Sequence, residues 1–169
     1  MSEHFWIHHG LDEYRVRRAN DADAPALRAL LNSSYKELAD RGLNYTATYQ
    51  DEAETLREIQ TRSVYVVLDA GEMIATISMR DENRMTGKKS AYVGKFGVHP
   101  GRKKKGLGKL LMQFIEERAR KEGYQWIQLD TAKPAEHLVD WYKRQGYHIV
   151  GDTRFDGKTY ESWIFEKAL

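Results

Sequence analysis

The chain has 169 residues, 41% apolar and 31% charged, which suits one domain with a real core and excludes a disordered chain. Its 27 basic and 25 acidic residues leave a formal net charge of +2, so there is no global pull toward nucleic acid, and the absence of cysteine excludes disulfides, thiolate metal sites and a cysteinyl-acyl intermediate. With no apolar run near the roughly 18 residues of a membrane helix and no signal-type apolar region, a cytoplasmic protein without membrane or nucleic-acid partners is expected.

Residues 1–13 read as an N-terminal extension to a single domain over 14–169. His4 and His8 would share a face if this stretch were helical, but two histidines without a carboxylate or thiol partner are a poor metal signal, so a loose or docking terminus and no metal are expected. Tyr14 to Arg18 alternates like a short strand, and residues 20–23 supply cap-type side chains before a helix carrying Leu27, Leu30, Leu31 and Tyr35. The polar and aromatic segment 40–50 follows, then a helix over 51–62. Runs 63–68 and 72–79 form a hairpin around Asp69-Ala70-Gly71, and residues 82–90 make a polar connection.

The most legible stretch is 91–123, a strand, a basic glycine-bearing loop and a helix. Along the strand the apolar phase runs Ala91, Val93, then Phe96, Val98, a parity switch that one inserted residue near Gly94-Lys95 explains, so a β-bulge is expected there. Leu107, Leu110, Leu111, Phe114 and Ile115 make one buried helical stripe stopped by Gly123. Glu116 with Arg120 and Glu117 with Lys121 are read as the exposed face. The helix opens inside Arg102-Lys103-Lys104-Lys105-Gly106-Leu107-Gly108-Lys109, where unpaired N–H groups, the positive dipole end and two residues without a Cβ suit a diphosphate. The spacing fails both the dinucleotide fingerprint, because residue 111 is leucine, and the P-loop, because Leu107-Gly108 follow Gly106. A solvated basic turn is the plain alternative, and nucleic-acid binding lacks an aromatic platform or a second basic cluster.

A strand over 126–130, a helix over 135–145 ended by Gly146, and a C-terminal hairpin of 147–150 and 160–165 around Asp156-Gly157 complete the chain. The order β-α-α-β-β-β-α-β-α-β-β is an α+β arrangement that a mixed, largely antiparallel twisted sheet with helices on both faces accommodates.

Phe96-Gly97-Val98-His99-Pro100 followed by Lys103-Lys104-Lys105-Gly106-Leu107-Gly108 resembles the acetyl-CoA motif Q/R-x-x-G-x-G/A of the GNAT superfamily of N-acetyltransferases, and the element order resembles that family over most of the chain. The match departs at Lys103, with the arginine one residue early at Arg102. The resemblance implies acetyl-CoA as co-substrate, its diphosphate on the backbone of Lys103, Lys104, Lys105, Gly106, Leu107, Gly108 and Lys109, and its pantetheine arm along Phe96, Gly97 and Val98. It also implies that Tyr142, in the ending Tyr142-Lys143-Arg144-Gln145-Gly146-Tyr147, is the general acid for the departing thiolate; a phenol near pKa 10 stays protonated at neutral pH. Read without the family, Tyr142 is a core tyrosine in phase with Leu138. An asparagine that relatives carry earlier on this helix is absent from Ala135-Glu136-His137, and the glutamate that many supply from the preceding strand is absent from 91–98. Asp130 is therefore the first candidate base, with Asp81, Glu136 and His99 behind it, each with the alternative of an ordinary polar residue. Segment 40–50 is the candidate cover for the acceptor, or a loop whose tyrosines pack on the core. The expected activity is direct acetyl transfer from acetyl-CoA to a primary amine, on a small molecule or a protein; the alternative is a non-catalytic acyl-CoA-binding regulatory domain. A homodimer is allowed.

Overall fold

The computed structural model describes residues 3–9, 12–103 and 106–169. Its elements run β1 (His4–His9), β2 (Asp12–Arg18), α1 (Ala24–Ser34), α2 (Lys36–Asp40), α3 (Thr46–Tyr49), α4 (Glu52–Thr61), β3 (Ser63–Asp69), β4 (Glu72–Asp81), β5 (Ser90–Val98), α5 (Leu107–Lys121), β6 (Trp126–Ala132), α6 (Glu136–Arg144), β7 (His148–Thr153) and β8 (Ser162–Ala168). The strands form one sheet of eight in the order β1-β2-β3-β4-β5-β6-β8-β7. Every neighbouring pair is antiparallel except β5 and β6.

The near-continuous apolar run of β3 follows from burial on both faces. Tyr65 and Val67 join the core under α5, with Leu111, Ile115, Ile127 and Phe165, while Val64 and Val66 join the opposite core under α1, with Leu27, Leu30 and Leu31. Helices thus cover both faces, as the element order required.

On α5, Leu107, Leu111 and Ile115 are buried with Met112 and Ala119, and Leu110 and Phe114 flank them partly buried. The expected exposed face is corrected at Glu116. This carboxylate is buried, accepting from the Tyr147 hydroxyl at 3.0 Å and the Lys167 ammonium at 3.0 Å, because β8 and the residue after α6 pack over that side; Glu117 alone keeps the surface pairing, 3.7 Å from Lys121. Gly123, at φ 87°, closes the helix: its N–H bonds Arg120 O and the Tyr124 N–H bonds Ala119 O, the paired bonds of a Schellman motif.

Residues expected as a terminal extension form the edge strand β1, paired to β2 from His4↔Arg17 to His9↔Asp12. Phe5 and Ile7 join the core and Trp6 faces out. His4 and His8 therefore stand on a strand, and His8 lies across the ladder from Glu13, 3.8 Å away.

Two irregularities of β5 set up the site. Thr76 pairs with Gly97 and Ser78 with Gly94, so Lys95 and Phe96 together face Ile77, and Lys95 takes φ 47°; this is the bulge the parity switch implied. Beyond it, β5 and β6 pair only at Ser90↔Trp126, Ala91↔Ile127 and Tyr92↔Gln128. From Val93 onward the two strands part.

Candidate active site

A cavity of about 400 Å³ occupies the gap where β5 and β6 separate, bounded by Val93 to Phe96 on one strand and Leu129 and Asp130 on the other. Tyr142 lies at its base. The sequence spacing explains how that residue is held: Gly146, at φ 91°, ends α6 with its N–H on Lys143 O, and the Tyr147 N–H bonds Tyr142 O at 3.2 Å. The Tyr-x-x-x-Gly-Tyr ending is thus a second Schellman motif, and it fixes the backbone of Tyr142. The ring packs against Trp141, Phe165 and Tyr147. Its Oη, by contrast, has no hydrogen-bond partner among the described residues and opens on the cavity. Burial, with Tyr45 and Asp130 nearby, raises the phenol above its ordinary pKa, so it stays protonated.

Asp130 lines the same cavity and accepts a hydrogen bond from the Tyr92 hydroxyl. Burial raises its pKa from the ordinary value, opposed by the Tyr92 bond and by Arg84 and Arg80. The other three base candidates stand elsewhere: Asp81 lines a separate cavity beside Tyr124, Glu136 is exposed on the first turn of α6, and the His99 Nδ1 accepts from the Gly101 N–H at 3.0 Å, capping a turn. Of the four, only Asp130 shares a cavity with Tyr142.

In the loop before α5 two basic side chains are taken up by the fold. Lys103 donates to Ser34 O at 3.0 Å and Arg102 to Asp69 at 2.6 Å, so both side chains tie the loop to the fold; Lys104 and Lys105 lie outside the described residues. Gly106 is the N-cap, left-handed at φ 77°, and no side chain caps the first-turn N–H groups among the described residues. Leu107 points into the core, leaving only its backbone, and Lys109 is exposed. A Cβ on Gly108 would come 3.3 Å from the Phe96 ring and 3.8 Å from that of Trp141. Phe96, Gly97 and Val98 lie along the β5 edge that β6 has left; the Phe96 carbonyl accepts from the Tyr35 hydroxyl at 2.8 Å, and Gly97 is needed for packing, since a Cβ there would meet Ser34 Oγ at 3.0 Å.

Segment 40–50 lies between the cavity and the core. Thr46, Ala47 and Tyr49 line the cavity, and Tyr45 locks the segment down, bonding Thr131 Oγ1 and the Ala132 N–H at 2.8 Å each and stacking on Tyr160. Sequence reading missed the cations: Arg62, Arg80, Arg84, Lys95 and Lys158 line the cavity against the carboxylates of Asp130 and Asp156. They come from five separate elements and loops, and no local spacing marks them.

Residues 24–147 match the family model described as the acetyltransferase (GNAT) family. The chain belongs to the GNAT family. This GNAT chain is 31% identical over 162 residues to an S-(2-succino)cysteine N-acetyltransferase of Bacillus subtilis (strain 168), covering 92% of this chain and 96% of that protein. A second relative in the same strain, an S-alkylcysteine N-acetyltransferase, is 27% identical over 146 residues, 83% of this chain and 82% of its own. Among solved structures the fold resembles the ribosomal L7/L12 alpha-N-protein acetyltransferase in complex with coenzyme A, with a TM-score of 0.71 at 14% identity and 98% of each chain covered. Its relatives being N-acetyltransferases, this GNAT protein is an acyltransferase; no helix among the described residues is long and apolar enough to cross a membrane.

Proposed function

We propose that the protein transfers an acetyl group from acetyl-CoA directly to the α-amine of an S-substituted cysteine, in the gap between β5 and β6. The reading rests on one observation above all: a phenol without a hydrogen-bond partner among the described residues and a raised-pKa carboxylate, Tyr142 and Asp130, line the same cavity. The acceptor class comes from the two relatives, both named for N-acetylation of cysteine thioethers.

The residues present fit acetyl-CoA. The first turn of α5, with no side-chain cap, and the side-chain-free Gly106 suit its diphosphate, with the backbone of Lys103 and of Gly106 to Lys109 as the described part of the cradle, and the edge Phe96 to Val98, which β6 does not pair, suits its amide-bearing arm as an added strand. When bound, acetyl-CoA supplies the reactive thioester. Asp130 takes a proton from the acceptor ammonium, directly or through one water; Tyr92, donating to one carboxylate oxygen, holds it in place. Tyr142 donates its proton to the departing sulfur, whose thiol has an ordinary pKa near 8.5, and regains one from the nitrogen as the amide forms; its raised pKa keeps the phenol protonated before transfer. With no cysteine in the chain, a covalent acetyl relay through a thiol is excluded, and the direct transfer proposed here has both substrates bound together.

The test is release of CoA thiol from acetyl-CoA with S-methylcysteine and S-(2-succino)cysteine, each run beside its N-acetylated form. Release is expected only with the free amines. Equal release with blocked and free amines, or none with either, would overturn the proposal.

A further inference from the structure

Arg62 follows α4 and Arg80 lies in β4, yet their guanidinium groups converge on one spot of β5. A Cβ built on Gly94 would stand 3.7 Å from Arg62 Nη1 and 4.0 Å from Arg80 Nη1. The strand therefore leaves a notch without a Cβ beneath two cations and beside the Ser78 hydroxyl, 3.6 Å from that position, open to the cavity that Arg62, Arg80 and Gly94 line.

The charge there is only partly answered. Glu82 serves both Arg80 and Arg84, bonding Arg80 Nε at 2.5 Å and pairing with Arg84 Nη2 at 2.8 Å. Arg80 and Arg84 both lie over the ring of Tyr92, 5.1 and 5.3 Å from its centroid, so their planes are held. Arg62 has no carboxylate within ion-pair distance among the described residues, and burial together with Arg80 lowers its pKa from the ordinary value. Lys95 offers no surplus because it is paired with Glu58 at 3.2 Å. Holding the guanidinium groups of Arg62 and Arg80 together, with Glu82 divided between Arg80 and Arg84 and no carboxylate on Arg62 among the described residues, costs free energy that an anion on the notch would recover. A fork of planar donors matches the two oxygens of a carboxylate.

We infer that Arg62 and Arg80 form a carboxylate subsite over Gly94 that takes a carboxylate of the acceptor's S-substituent rather than the α-carboxylate common to every cysteine thioether, so that a neutral S-alkyl group is a poor fit. This rests on the proposed function and narrows it.

Two measurements test it. The first is the ratio of kcat/KM for S-(2-succino)cysteine over S-methylcysteine in the wild type and in Arg62→Gln. The ratio is expected to favour the acidic acceptor in the wild type and to fall at least tenfold in the variant, mainly through KM, as loss of a charge-assisted bond implies. The second needs no variant: succinate is expected to compete with the acceptor, and succinamide, its uncharged isostere, is not. A ratio near one in the wild type, a ratio that Arg62→Gln leaves unchanged, or equal inhibition by succinate and succinamide would overturn the subsite while leaving cysteine-thioether acetylation standing. No turnover of either acceptor would instead overturn the proposed function, and the subsite with it.

Discussion

Replacing Tyr142 by phenylalanine separates a catalytic phenol from a core tyrosine. In a core role the hydroxyl would be hydrogen-bonded, and removing it would cost about 0.5–1.5 kcal/mol of stability. In a chain of this length that is a drop of roughly 1–6 °C in Tm, with little change in rate. Here Oη has no partner among the described residues, and the ring contacts with Trp141, Phe165 and Tyr147 survive the substitution. The expected outcome is the reverse: Tm within about 1 °C of wild type, acetyl-CoA affinity nearly intact, and kcat lower by about 10²- to 10⁴-fold, or roughly 3–5.5 kcal/mol in the barrier. Thiol release at saturating substrates gives kcat, calorimetry gives the affinity, and the viscosity dependence of the rate shows whether chemistry limits turnover. A kcat within about threefold of wild type, with chemistry limiting, would refute the assignment and return Tyr142 to the core.

Asp130→Asn should lower kcat/KM at least a hundredfold while leaving stability at pH 7 equal or higher. Burial raises this carboxyl's folded pKa, so its contribution to stability is greatest below the unfolded pKa and is lost as pH rises through the folded one; a neutral amide removes that loss, and the two melting curves should converge below about pH 4. A variant that is less stable at pH 7 and as active as wild type would assign Asp130 to structure. Gly108→Val should weaken acetyl-CoA binding at least tenfold by forcing a side chain against Phe96 and Trp141 at the start of α5; calorimetry showing unchanged affinity in the folded variant contradicts this. Initial velocities with both substrates varied should give intersecting double-reciprocal lines; parallel lines, or an acetylated protein that passes its acetyl group to the amine, would sink direct transfer.

What could be read from the sequence was what depends on neighbours within a turn or a strand. The α5 stripe, the bulge at Lys95 and the glycine that ends α6 all announce themselves locally, because a helix repeats every 3.6 residues, a strand every two, and a left-handed residue is nearly always glycine. The ending Tyr142 to Tyr147 was legible as a motif before its physical reason, the Schellman bonds from Gly146 and Tyr147, was visible. Glu116 was misread because its partners, Tyr147 and Lys167, are 31 and 51 residues away. The edge strand β1 carried a usable signal in Phe5 and Ile7, masked by the outward apolar Trp6. Arg62, Arg80 and Gly94 meet only through the pairing of β4 with β5 and the return of α4, and no spacing along the chain encodes that meeting.

The central claim is that the gap between β5 and β6 carries an acetyl group from a thioester to a cysteine-thioether amine. Its most direct test is mass spectrometry of the products after incubating the purified protein with acetyl-labelled acetyl-CoA and S-(2-succino)cysteine. The label is expected as an amide on the acceptor's nitrogen, in step with the CoA released. Binding of labelled acetyl-CoA with no labelled acceptor and no CoA release would contradict the claim and leave the chain an acyl-CoA-binding domain without turnover.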